Sequence, residues 1–146
     1  MANLFALQTL IELAVAEVED AAVRLGRAVK SVEDARQKLA LLSNYREEYV
    51  SRFQHTMASG FTPMAYRNYQ NFMDKLDTAI RGQEQILSDS ERRAEGERGA
   101  WRESERKRIS YDLLKTRAEH AADLKQAKRE QKQSDEQAAR KFLYKR

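Results

Sequence analysis

The sequence predicts an all-α fold, a long antiparallel two-helix coiled-coil hairpin with an overhanging C-terminal helix. Three observations carry this. Apolar residues alternate at spacings of three and four from Leu4 to Leu42 without a skip, with Tyr49 seven residues further on, the seam pattern of a coiled coil. One short break, at Gly60, Thr62 and Pro63, separates two helical patterns. The second pattern is longer than the first, so part of it has no facing segment. A single domain over residues 1–146 is expected, with helix 1 over about 4–55, a turn over about 57–62 and helix 2 over about 63–140.

The first helix carries two interleaved series. One is Leu4, Ile11, Val18, Leu25, Val32 and Leu39; the other is Leu7, Ala14, Ala21, Ala28, Ala35, Leu42 and Tyr49. The 3.5-residue repeat predicts a left-handed supercoil. Alanines in succession in the second series let two helix backbones approach closely. Asn3 is placed to cap the helix start. Gly60 can adopt the left-handed conformation that closes a helix, and Thr62 followed by Pro63 is an N-cap with proline in the first helical position. In the second helix the seam runs through Tyr69, Met73, Leu76, Ile80 and Leu87. It then weakens, with Gln83, Ser90, Glu97 and Ser104 at core-type positions. Gly82, Gly96 and Gly99 predict a bent or less stable middle, at ~1 kcal/mol each relative to Ala. Trp101, Ile109, Tyr111, Leu113 and Leu114 restore apolar character. A turn centred near residue 59 sets Tyr49 beside Tyr69, Leu42 beside Leu76 and Leu4 beside Leu114. Residues from about Arg117 to Arg140 then overhang as a polar helix that is either frayed or held by a partner.

Composition narrows the function classes. Of 146 residues 34% are charged and 8% aromatic, with one Pro and no Cys; mean hydropathy is −0.82. Such a chain can bury a seam more readily than a globular core. The absence of Cys removes disulfide and thiolate chemistry. Gln8 and Glu12 interrupt the apolar N-terminus, so neither a signal peptide nor a membrane span is expected. The net charge of +4 is finely mixed. Pairs such as Asp20–Arg24, Asp34–Lys38, Glu48–Arg52, Asp77–Arg81 and Glu103–Lys107 have the favourable order on an exposed helix. His55 and His120 lack ligand spacing, and no phosphate loop or nucleophile elbow occurs. No catalysis, metal, cofactor or small-molecule substrate is expected.

The informative cluster lies near the turn. Leu42, Tyr49 and Leu76 are seam positions; Tyr45, Phe72 and Ala79 each stand one residue before one. The apolar stripe is therefore wider than two helices bury, and two of its three flanking residues are aromatic. That favours a protein-binding patch over rings that merely wedge the hairpin together. A basic run of Arg102, Arg106, Lys107 and Arg108 beside Trp101 is interrupted by Glu103 and Glu105, and reads as a solvated face more readily than as a nucleic-acid footprint.

Leu7-Gln8-Thr9-Leu10, the Tyr45-x-x-Glu48-Tyr49 pair, Asn68-Tyr69-Gln70-x-Phe72 and Trp101-Arg102-Glu103 resemble the FliJ family, small components of the bacterial flagellar type III export apparatus. The resemblance runs over nearly the whole chain. It implies a coiled coil similar to the gamma-subunit stalk of rotary ATPases. The end carrying both termini would enter the ring of the hexameric export ATPase FliI and promote its assembly and activity. It also implies contacts with the export-gate protein FlhA and with substrate chaperones, through Leu42, Tyr45, Tyr49, Phe72, Leu76 and Ala79. Lys38 and Gln83 depart from the family pattern at the edge of that patch. Trp101, Arg102, Arg106, Arg108, Leu113, Leu114 and Lys125 would face the ring. The implied location is cytoplasmic, peripheral to the inner-membrane export apparatus.

Rival readings are the equivalent stalk protein of a virulence-type secretion system, a basic helical binder of nucleic acid or membrane, and a self-associating coiled-coil scaffold. The mixed charges argue against the second. In the third, the isolated chain is a homodimer whose wide stripe closes a four-helix bundle.

Overall fold

A computed structural model describes residues 2–145, with side chains from Leu4 onward. It contains two long helices, α1 (Ala2–Ala58) and α2 (Pro63–Tyr144), packed against each other as an all-α hairpin. Both run past their expected ends. α1 begins before Asn3, which is therefore not its cap; the Asn3 side chain lies outside the described residues. The connection shrinks to four residues, Ser59 to Thr62, with its midpoint a residue or so beyond the expected centre.

Local chemistry fixes that connection. Ser59 and Gly60 donate their backbone N–H groups to the carbonyls of Thr56 and Met57, at 3.1 and 3.2 Å. These bonds tighten the last turn of α1 and satisfy carbonyls that the helix itself leaves open. Gly60 takes φ +92°, the left-handed exit that a side chain would strain. Thr62 Oγ1 accepts a hydrogen bond from the Ala65 N–H at 3.1 Å, the N-cap bond expected from Thr62-Pro63. Phe61, just before the cap, packs on Tyr66 with ring centroids 5.8 Å apart. An apolar residue before the cap touching one four residues inside the helix is a hydrophobic staple, and it sets the angle at which the chain enters α2.

The fold comprises two compact units. The link-containing unit spans Asp20–Trp101. Its core is small-residue packing: Ala21, Ala28, Val32 and Ala35 from α1 are buried, with Met73, Leu76, Ser90 and Ala94 from α2. Ala28, Val32 and Ala94 cluster, and Leu87 packs on them. The seam of α2 does not lose its spacing where its residues turn polar. Ser90 is buried, and Gln83 Nε2 donates to the Ala35 carbonyl across the seam at 3.2 Å. α2 is continuous through Gly82, Gly96 and Gly99, where an added Cβ would meet no neighbour. These glycines therefore break nothing, and their cost is one of backbone entropy.

The terminal unit joins the residues up to Glu19 with those from Arg102 onward. Ile11 and Ala14 are buried there, and Leu4, Leu7 and Val18 are half-buried. On α2 the half-buried positions include Ser104, Arg108, Tyr111, Lys115 and Ala118, again three and four apart, with Glu105 and Asp112 beside them. Leu114, expected opposite Leu4, falls one residue off this seam and is largely exposed. Every residue from Ala121 to Lys145 is exposed, while the helix continues to Tyr144.

The five expected pairs along single helices are not the ion pairs that form. Arg24 instead reaches Glu97 at 3.3 Å, Arg46 reaches Asp77 at 2.6 Å and Lys107 reaches Glu17 at 3.6 Å, each on the opposite helix. Among the described residues, no helix is long and apolar enough to cross a membrane.

Candidate partner-binding surfaces

The near-turn cluster forms a ladder of rings. Tyr49 of α1 lies between Tyr69 (5.5 Å, nearly parallel) and Phe72 (4.4 Å, tilted) of α2. Tyr45 meets Phe72 edge-on at 6.1 Å. Phe53 stacks on Tyr69 at 3.7 Å and touches Phe61 and Tyr66. Heptad spacing puts Tyr45, Tyr49 and Phe53 on consecutive turns of one face of α1, so the α2 rings meet them in sequence. Such contacts add to the burial that already holds the helices together.

Six residues were assigned to this patch, and the structure sorts them by depth. Leu76 is only 7% exposed and lies beneath the surface as support. Leu42, Tyr49 and Phe72 are half-buried, and Ala79 is exposed. Tyr45 is 49% exposed despite its ring contacts. Two further residues extend the apolar surface. Leu41 is 68% exposed, and Ile86 is 54% exposed. Ile86 follows Phe72 and Ala79 at seven-residue steps, so the rule that selected those two also selects it. Leu41 follows the same rule from α1, because it stands one residue before the seam position Leu42 and four before Tyr45.

The two flanks of the link-containing unit differ. On one flank Arg36 pairs with Glu91 at 3.7 Å, and Arg46, half-buried at a seam position, binds Asp77 at 2.6 Å. The hydrogen bond from Arg46 holds the Asp77 carboxyl below its usual range, and the same bond raises the guanidinium. The other flank carries Tyr45, Phe72, Ala79 and Ile86. Beside them lies an open groove lined by Ser31, Asp34, Lys38, Gln83, Asp89 and Arg93. Charge pairs thus bridge the helices on one flank, beside a second groove lined by Val29, Arg36, Glu91 and Arg98, and the other flank carries the exposed Tyr45 and Ile86.

The residues expected to face a ring are scattered. Trp101, in the link-containing unit, is half-buried on the seam. In the terminal unit Arg102 is exposed, and Arg106 pairs with Glu103 at 3.7 Å. Arg108 is held on its own helix, by Glu105 at 2.6 Å and Asp112 at 2.8 Å. That hydrogen bond lowers the Glu105 carboxyl from its usual range and raises Arg108. Leu113 and Leu114 are exposed and lie on different faces, and Lys125 lies in the exposed helix beyond the seam.

Comparison with known proteins places the chain in a family. Residues 3–146 match the family described as flagellar FliJ protein. The chain belongs to the flagellar FliJ family. It is 34% identical over 145 residues to the flagellar FliJ protein of Escherichia coli strain K12, covering 99% of each chain. To the flagellar FliJ protein of Salmonella typhi it is 32% identical over 145 residues, again covering 99% of each. The match therefore includes both the aromatic cluster and the exposed end of α2.

Proposed function

We propose that this family member is a non-catalytic component of flagellar protein export. It acts as a gamma-like stalk of a hexameric FliI-type export ATPase, and it contacts an FlhA-type gate and substrate chaperones. It works in the cytoplasm, peripheral to the inner-membrane export apparatus. One observation carries the reading most directly. α2 continues as a helix beyond the last residue that α1 covers, with every side chain from Ala121 onward exposed. A polar helix of this kind is rarely stable unsupported, and a ring that encloses it supplies the missing environment. The protein would promote ring assembly by binding the assembled state more tightly than separate subunits, which is allostery by differential affinity. Trp101, Arg102, Arg106, Leu113, Leu114 and Lys125 serve the ring contact in this reading. Arg108 contributes by fixing Glu105 and Asp112 on the same helix.

The gate and chaperone contacts are assigned to Leu42, Tyr45, Tyr49, Phe72 and Ala79, supported from below by Leu76. The apolar flank that lacks the Arg36–Glu91 and Arg46–Asp77 pairs supports this assignment. Family membership favours the flagellar system over a virulence-type one. A self-associating scaffold would use the same apolar flank to close a four-helix dimer.

The deciding experiment is the ATPase rate of a purified FliI-type hexamer titrated with the full chain at constant salt. Stimulation that saturates at a few copies or fewer per ring is expected. No stimulation by a folded, dimeric chain would favour the scaffold.

A further inference from the structure

Beyond the end of α1, the alternation of three and four does not stop. Extending the half-buried series Lys115, Ala118 along α2 leads to Ala122, Lys125, Arg129, Lys132, Glu136 and Ala139. The face that α1 covers earlier in the helix thus continues, uncovered, as a face with three successive cationic positions, Lys125, Arg129 and Lys132. Lys128 stands one residue before a seam position and widens the stripe. The spacing sets like charges three and four residues apart, an arrangement that opposes helix formation. Neighbouring carboxylates do not relieve it. Glu130 accepts from Gln126 and Asp135 from Gln131, and among the described residues Lys125, Lys128, Arg129 and Lys132 form no ion pair. By contrast, Arg108 earlier in α2 is bound by two carboxylates.

We infer that Lys125, Lys128, Arg129 and Lys132 form a docking stripe for an acidic protein surface. The inference rests on the stalk reading and deepens it: the lining of the ring that meets this part of α2 presents carboxylates along the stripe. Two features select the occupant. The stripe continues the interface α1 makes with α2, so its partner lies along the helix where α1 would otherwise lie. Its charge calls for the opposite sign. Ala122 precedes the cations and admits close approach of a partner backbone, and Glu136 ends their run. Nucleic acid fits less well, since His120 is the one aromatic side chain between Ala118 and Lys141 and stands off the stripe, which leaves no platform for successive bases. Glu136 on the stripe and the flanking Glu119, Asp123, Glu130 and Asp135 would also repel a uniform polyanion.

The test measures binding of the full chain to the purified FliI-type hexamer across a range of ionic strength. K125Q/R129Q/K132Q removes three charges from the stripe; R117Q/K141Q/K145Q removes three from outside it. The stripe variant should weaken binding by roughly tenfold or more at low salt, with a shallower salt dependence. The control should change it by less than about threefold. K125R/R129K/K132R, which keeps the charges, should bind as the unmodified chain does. Circular dichroism should show the stripe variant at least as helical, because repulsions have been removed. Equal losses in the stripe variant and the control would overturn the inference, and so would no loss in either. Loss of binding to phosphatidylserine vesicles with ring affinity unchanged would assign the stripe to a membrane and overturn it too. If the unmodified chain fails to bind the ring at any salt concentration, the stalk reading falls and this inference with it. Binding by the unmodified chain with an unaffected stripe variant removes the stripe alone.

Discussion

The link-containing unit and the terminal unit share one seam geometry and fill it differently. In the first, aromatic rings and buried Ala, Val, Met and Leu occupy most of the positions spaced three and four apart, with Arg46, Gln83 and Ser90 among them. In the second, the α2 side of the same alternation holds Ser104, Arg108, Tyr111, Lys115 and Ala118, all only half-buried. The period decides where a helix faces its neighbour, and the side chains decide how strongly it is held. The link-containing unit is held by its own packing, whereas α2 in the terminal unit continues into a helix whose side chains from Ala121 onward are exposed.

Substitutions should expose that contrast, most strongly at the rings. Tyr49→Ala removes contacts with Tyr45, Tyr69 and Phe72 and should lower stability by about 2–3 kcal/mol in urea unfolding. Leu113→Ala in the terminal unit, at an exposed position, should stay within about 0.5 kcal/mol. Equal effects would mean that the two units are held alike.

A glycine pair gives a smaller effect of opposite signs. Gly60→Ala forces a side chain into φ +92° and should destabilise by about 1 kcal/mol or more. Gly96→Ala lies in a continuous helix with no neighbour near the added methyl and should stabilise by about 1 kcal/mol. Thermal unfolding of the two variants against the parent checks both signs.

These positions show why some of the structure was legible in advance. The two series in α1 fixed its buried face, because period alone selects a face. Thr62-Pro63 fixed the start of α2, because a cap bond needs only that local sequence. The staple between Phe61 and Tyr66 carried the same kind of signal, an apolar residue before the cap and another four places into the helix. Ion pairing was misread, because spacing of four describes one helix while Arg24, Asp77 and Lys107 have nearer partners on the other. The polar middle of α2 was misread for a related reason. Gln83 looks like a seam defect until the Ala35 carbonyl is opposite it. The depth of each patch residue was not legible, since Leu76 and Ala79 differ in burial through packing rather than pattern.

The smallest effect is acidic titration of the Arg46–Asp77 pair. Its arginine holds the Asp77 pKa below the usual range, so the pair's contribution is fully present above the ordinary aspartate pKa of ~4. It is lost as pH falls through the depressed value. Arg46→Gln returns Asp77 towards ordinary titration and should flatten this part of the acid limb of melting temperature against pH. An unchanged acid limb would show that the pair does not couple to folding.

The central claim concerns the exposed end of α2. Its most direct measurement is the ATPase rate of a FliI-type hexamer with a chain ending at Ala118, the last half-buried residue, beside the full chain. Circular dichroism confirms that the remaining hairpin is helical. The account predicts stimulation by the full chain and none by the shortened one. Full stimulation by a folded chain ending at Ala118 would contradict it.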